Sequence, residues 1–165
     1  MKIAVVALGK IGLPLAVQFA SKGHVVTGVD VNADTVAKVN RGQEPFPGET
    51  DLQDKLAAAV SGGMMSATTD YARAVPGADV VVVVVPLFVD GEGRPDFGWM
   101  DSATHDIAVN LTPDTLVLYE TTLPVGTPRD RWTPMLAAGP GLTAGGACPL
   151  PCRPAPEPPR PALPA

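Results

Sequence analysis

The chain has 165 residues, a formal net charge of −5, and 45% hydrophobic, 18% charged and 5% aromatic residues. That length suits a single domain with its own core, built here from Val, Ala, Leu and Ile. The acidic balance with scattered Lys and Arg offers no field for a nucleic-acid backbone, and no apolar run approaches the ~20 residues that span a bilayer, so neither nucleic acid nor membrane is an expected partner and a cytoplasmic location is expected.

Ile3 to Leu8 is a continuous apolar run, rich in branched residues, that reads as a strand buried on both faces of a parallel sheet. From Ile11 to Lys22 the apolar residues recur at helical spacing, and Gly23 is a stop signal. Val25 to Val29 reads as a second strand ending at Asp30, with Asn32 or Asp34 capping a helix that runs toward Arg41. Arg41 to Glu49 is a loop, and Thr50 is the expected N-cap of a helix over Asp51 to Val60. Met65 to Thr68 is a short strand and Tyr71 to Val75 a helical turn. Ala78 to Val85 is the plainest buried strand, closed by Pro86, which cannot donate to a ladder. Leu87 to Pro95 is expected to be irregular, followed by a helix from Trp99 to Asn110 and a strand from Thr115 to Tyr119. A last helix starts near Thr127, with Pro128 in its first turn.

Strands alternating with helices predict an α/β fold, a Rossmann-type doubly wound parallel sheet that stops before its last strand, over residues 1–140. Ligands of such sheets bind outside the carboxyl ends of the strands. Residues 141–165 are dense in proline without any periodicity and read as a disordered or polyproline-like tail. The abrupt change after "GLTAGG" is what an out-of-frame reading of a GC-rich gene would produce. Both cysteines, Cys148 and Cys152, fall in this tail with no neighbour that would lower a thiol pKa and too few ligands for a zinc site, so no metal is expected.

The turn "VALGKIGLP" after the first strand carries the chemistry. In a dinucleotide-binding turn, one glycine supports the tight bend, a second admits the pyrophosphate, and a third allows close helix packing. Here the second and third are Gly9 and Gly12, while Ala7 stands in the first position, where alanine is tolerable if its φ is negative. Asp30 follows at about the ~20-residue spacing of the acidic residue that accepts from the ribose hydroxyls. A carboxylate there repels a 2′-phosphate, so NAD is expected over NADP.

"GKIGLPLA", "VTGVDVN", "VVVVVP", "PDF" and "LYETTLPVGT", in that order, resemble the UDP-glucose/GDP-mannose dehydrogenase family, and most of all its branch acting on UDP-N-acetyl-mannosamine or UDP-N-acetyl-glucosamine. The resemblance implies an NAD-dependent oxidation of a nucleotide sugar's primary alcohol to a carboxylate, in a family that is homodimeric through a central helix expected to be absent here. It implies that Leu8, Gly9, Lys10, Ile11 and Gly12 cradle the pyrophosphate and that Asp30 holds the ribose. Pro86 and Leu87 would line the cofactor's edge, and Thr122 would sit near the reacting carbon and its water. Glu120 is read as structural. Leu87 replaces the threonine usual in the family.

The family's catalytic lysine and nucleophilic cysteine lie in later segments that the chain does not show, so the expectation is an NAD-binding portion inactive on its own, with the UDP-sugar bound only if that half is supplied. The alternatives are a non-catalytic NAD-binding module, a truncated fragment, and a β-hydroxyacid dehydrogenase-like reductase. The last more often carries an Asn-Arg pair after the second strand, which "VDVNAD" lacks.

Overall fold

The computed structural model describes residues 1–46 and 50–139. The tail expected over 141–165, with Cys148 and Cys152, lies outside them.

Among these residues, five parallel strands form one sheet: β1 (Lys2–Val6), β2 (Val25–Val29), β3 (Met65–Thr68), β4 (Val80–Val83) and β7 (Leu116–Tyr119), in the order β3-β2-β1-β4-β7. Continuous apolar strands suit this sheet because both faces are covered. Ile3, Val5, Val80 and Val82 face one cluster with Leu13, Val17 and Leu56. Their neighbours Ala4, Val6, Val81 and Val83 face a second with Met100, Ile107, Trp132 and Leu136.

On the first face lie α1 (Gly12–Ser21), α2 (Ala33–Asn40) and α3 (Leu52–Ser61). On the second lie α4 (Tyr71–Ala74), α5 (Gly98–Asn110) and, after a π-helical turn over Pro128–Trp132, α6 (Thr133–Ala137). The chain changes faces after β3, which places the topological switch point between β1 and β4, the neighbouring strands from which it departs in opposite directions. The edge strand β3 is protected because the Asn40 side chain donates to the Ala67 carbonyl at 2.8 Å and accepts from the Ala67 amide at 2.7 Å.

Three local expectations change. Asn32 caps α2, accepting from the Asp34 and Thr35 amides at 2.9 and 3.4 Å, but Thr50 does not cap α3. There the N-cap is Asp51, held at φ 62 without a side-chain bond, and the helix begins one residue later than expected. Leu87 to Pro95 is not irregular: β5 (Phe88–Val89) and β6 (Pro95–Asp96) pair as an antiparallel hairpin. Asp90 organises its turn, accepting from the Glu92 and Arg94 amides at 2.9 Å each and from Arg94 Nε at 3.1 Å. Those backbone bonds hold its carboxyl below the usual aspartate range.

The third concerns Ala7, which has φ 75. The condition under which alanine would be innocuous at the head of the turn is not met. A β-carbon in the left-handed region meets the following carbonyl and costs about 1 kcal/mol. The conformation persists because Ala7 is tied on both sides: its amide donates to the Val29 carbonyl at 2.8 Å, and its own carbonyl is pressed against Gly12.

Candidate functional site

The site grows from the turn between β1 and α1. Leu8 is buried, its side chain filling the space beside Gly28, so only its backbone belongs to the turn's outer surface. Its amide donates to Asp30 Oδ2 at 2.8 Å, while Asp30 Oδ1 accepts from the Asn32 amide at 2.9 Å. Asp30 therefore ties the end of β2 to the turn after β1. A carboxylate with two oxygens has about four acceptor positions, and these two bonds leave room for further donors.

Beyond Leu8, the amides of Gly9, Lys10, Ile11 and Gly12 make no hydrogen bond among the described residues, the first intrahelical donor of α1 being Leu13, to the Gly9 carbonyl at 3.0 Å. Unpaired N–H groups at the positive end of a helix are a ready receptor for an anion. The two glycines serve different ends. A Cβ on residue 12 would lie 1.9 Å from the Ala7 carbonyl oxygen, so Gly12 is required by packing. A Cβ on residue 9 would meet nothing within 4 Å, and Gly9 has no positive φ. Nothing in the described protein asks for glycine there, yet its bare backbone fronts a cleft.

That cleft, of about 400 Å³, opens on the carboxyl side of β1, β2 and β4. Val6, Ala7, Gly9, Val29, Asp30 and Val31 form one wall. Tyr71 enters from α4, Val85 and Pro86 from the end of β4, and Trp99, Ser102, Ala103 and Asp106 from α5. The lining is mostly apolar with a few polar groups, the character of a small-molecule pocket. Tyr71 is pushed up to about 12, first by burial and then by the nearby Asp106 and Asp30 carboxylates, so its hydroxyl stays a hydrogen-bond donor.

Of the residues singled out in the sequence, the structure brings Gly9, Asp30 and Pro86 into the cleft wall, with Lys10, Ile11 and Gly12 on the adjoining turn. Leu87 turns away, packing partly buried against the second core cluster. Thr122 lies outside the cleft, exposed in the loop after β7, without a hydrogen bond among the described residues. Its neighbour Thr121 donates instead to the Val85 carbonyl at 2.9 Å, pinning that loop beside the end of β4. Tyr71, Trp99, Ser102 and Asp106 were missed. The one signal for the last three was their spacing on α5, where positions 99, 102, 103 and 106 share a stripe.

A parallel sheet whose first turn leaves helix amides free above a switch-point cleft, with a carboxylate closing the second strand, is the arrangement of a dinucleotide-binding domain. The NAD binding domain model of the UDP-glucose/GDP-mannose dehydrogenase family matches residues 1–148: the chain belongs to that family, and its cofactor is NAD.

It is 40% identical over 124 residues to the UDP-N-acetyl-D-mannosamine dehydrogenase of Escherichia coli K12, a match taking in 75% of this chain and 28% of that protein. It is 40% identical over 125 residues to the NDP-N-acetyl-D-galactosaminuronic acid dehydrogenase of Ralstonia nicotianae, again covering 75% of this chain and 28% of the relative. Among solved structures, a ternary complex of GDP-mannose dehydrogenase from Pseudomonas aeruginosa superposes with a TM-score of 0.79 at 27% identity, over 83% of this chain and 32% of that one. The chain thus spans less than a third of the length of these relatives. Among the described residues no helix is long and apolar enough to cross a membrane, and no cluster of side chains could hold a metal.

Proposed function

We propose that residues 1–140 act as the NAD-binding domain of a dehydrogenase that oxidises the primary alcohol of a nucleotide sugar to a carboxylate. The observation that carries this reading is Gly9, a glycine that neither packing nor backbone conformation requires, set among unpaired helix amides at the edge of the cleft. The amides of residues 9–12, on the turn that Leu8 anchors, hold the pyrophosphate. Asp30 accepts from the adenosine ribose hydroxyls with the acceptor positions that Leu8 and Asn32 leave free, and its charge turns away a 2′-phosphate. Pro86, at the end of β4, shapes the edge along which the cofactor lies, while Leu87, packed against the second core cluster, takes no part in it.

When bound, NAD supplies the hydride acceptor for the alcohol carbon. Thr122, on a loop fixed by the Thr121–Val85 bond, offers its exposed hydroxyl near the reacting carbon and its water. The cysteine and lysine that complete the oxidation in the family belong to its later segments, and the part played by residues 1–140 is the binding of NAD. A UDP-sugar, once the family's later half is supplied, and a cytoplasmic setting follow from the same family reading.

The test is thermal melting of the chain with NAD or NADP, beside a search for NADH formation with UDP-sugars. NAD at a hundred times its Kd adds about 2.7 kcal/mol to a folded state that binds it. A rise in midpoint with NAD, smaller with NADP, is the expected result. A midpoint unmoved by saturating NAD would overturn the reading, and NADH formed from a UDP-sugar would show that the chain needs no further segment.

A further inference from the structure

The cleft holds one carboxylate that the proposed binding of ribose and pyrophosphate leaves unused. On α5, Trp99, Ser102, Ala103 and Asp106 occupy one stripe two turns long, about 10 Å from end to end. They face the wall made by Val29, Asp30 and Val31, just past the ribose position. Apolar walls from Val29, Val31 and Ala103 suit a flat heterocycle, and the Trp99 ring, set edge-on to Phe88 at 5.0 Å, keeps a face for stacking. The polar groups on this part of the lining are Tyr71, Ser102 and Asp106.

Asp106 is an acceptor only. Among the described residues its Oδ1 has a single, marginal contact, the exposed His105 ring nitrogen at 3.5 Å, and the Asn110 side chain bonds its backbone carbonyl rather than its carboxylate. An acceptor with free positions matches a base edge that presents a donor. Adenine presents its 6-amine, whereas a 6-oxo purine would set an acceptor against the carboxylate.

We propose that Asp106 reads the 6-amine of the cofactor's adenine, so that the cleft selects a 6-aminopurine over a 6-oxopurine. This rests on the cleft being the NAD site. A hydrogen bond to a charged group that an analogue cannot make, leaving the carboxylate facing a like dipole, discriminates by about tenfold to a hundredfold.

The experiment is equilibrium binding to the full chain of NAD, nicotinamide hypoxanthine dinucleotide and 1,N6-etheno-NAD, in which both amine hydrogens are gone. The unaltered chain should bind NAD at least about tenfold more tightly than either analogue. Asp106→Asn, whose amide can donate to a 6-oxo group, should bring the NAD-to-hypoxanthine ratio close to one. Equal binding of all three nucleotides by the unaltered chain would overturn the proposal, as would a ratio that Asp106→Asn leaves unchanged. The analogue comparison needs no variant and stands even if Asp106→Asn does not fold. Failure of the chain to bind any of the three would instead remove the NAD reading on which the proposal rests. Asp30→Asn serves as the contrast: it should weaken all three nucleotides together and leave their ratios as they were.

Discussion

The carbonyl of Ala7 and the α-carbon of Gly12 are in such close approach that a Cβ on residue 12 would lie 1.9 Å from the carbonyl oxygen. The strand leaves its sheet and the helix begins within one van der Waals contact of each other. Ala7 is held at φ 75 in making this turn, a conformation suited to glycine.

Ala7→Gly should therefore stabilise the chain. Relief of the left-handed strain, about 1 kcal/mol, is partly offset by the greater entropy of glycine in the unfolded chain. A rise in melting midpoint of about 2 °C is expected for a domain of this size, and a fall would show that the strain is not real. Gly12→Ala should go the other way by about 3 kcal/mol, since backbone rather than a flexible side chain occupies the space.

Gly9→Ala separates stability from binding. With nothing within 4 Å of the added carbon, the melting midpoint without cofactor should change by less than about 0.5 kcal/mol equivalent. The stabilisation produced by NAD should fall sharply, because the methyl group would enter the proposed pyrophosphate site. If the NAD-induced shift survives in full, Gly9 does not front the cofactor.

Trp99 lines the cleft and is exposed, while Trp132 is fully buried, stacked on Tyr119 at 4.6 Å. NAD should quench the fluorescence of the first and leave the second unaffected. The expected outcome is that Trp99→Phe abolishes most of the NAD-dependent quenching while binding followed by melting persists. Undiminished quenching in that variant would place the cofactor elsewhere.

An acid-sensitive clamp holds the C-terminal helical segment to α5. Asp101 accepts from Arg131 Nε at 2.7 Å, Arg131 Nη2 at 2.5 Å and Trp132 Nε1 at 2.9 Å. Arg131 first, with Trp132 adding to it, holds the Asp101 carboxyl below the usual aspartate range. The native state thus binds fewer protons than the unfolded chain. Its stabilising contribution is complete above the unfolded pKa of about 3.9 and is lost as pH falls through the lower folded value. Because the pair is partly in water, about 1 kcal/mol is at stake. Asp101→Asn should lower the midpoint at pH 7 and reduce its decline between about pH 4 and pH 2; parallel acid limbs in both proteins would contradict this.

The sheet was legible because its strands are continuous apolar runs, and a strand buried on both faces has few other readings. Met65–Thr68 was placed to the residue, and Val25–Val29 likewise. Gly9, Gly12 and Asp30 stand out in the sequence by spacing, and the fold sets Gly9 and Asp30 in one cleft wall with Gly12 on the adjoining turn. The sign of φ at Ala7 was not, because it depends on contacts with Val29 and Gly12 that residue identity does not state. The β5–β6 hairpin escaped notice because two-residue strands show no alternation, and its order comes from Asp90 gathering amides around a turn. The α5 wall of the cleft escaped because Trp99, Ser102 and Asp106 read individually as an ordinary wet helix surface. Only the fold, which gathers α5 and the ends of β1 and β2 around one cleft, makes them neighbours of Asp30.

Asp30 also limits how this domain could change its cofactor. Redirecting a dinucleotide site toward the phosphorylated form calls for removing the acidic residue at the end of the second strand. Here the same carboxylate holds the Leu8 amide and so fixes the loop proposed to receive the phosphates. Exchanging Asp30 alone would remove the barrier to a 2′-phosphate and loosen the pyrophosphate turn at the same time. Divergence toward the other coenzyme therefore requires a second donor-matching substitution near Leu8, and single-residue drift at position 30 leads first to a weak binder of both.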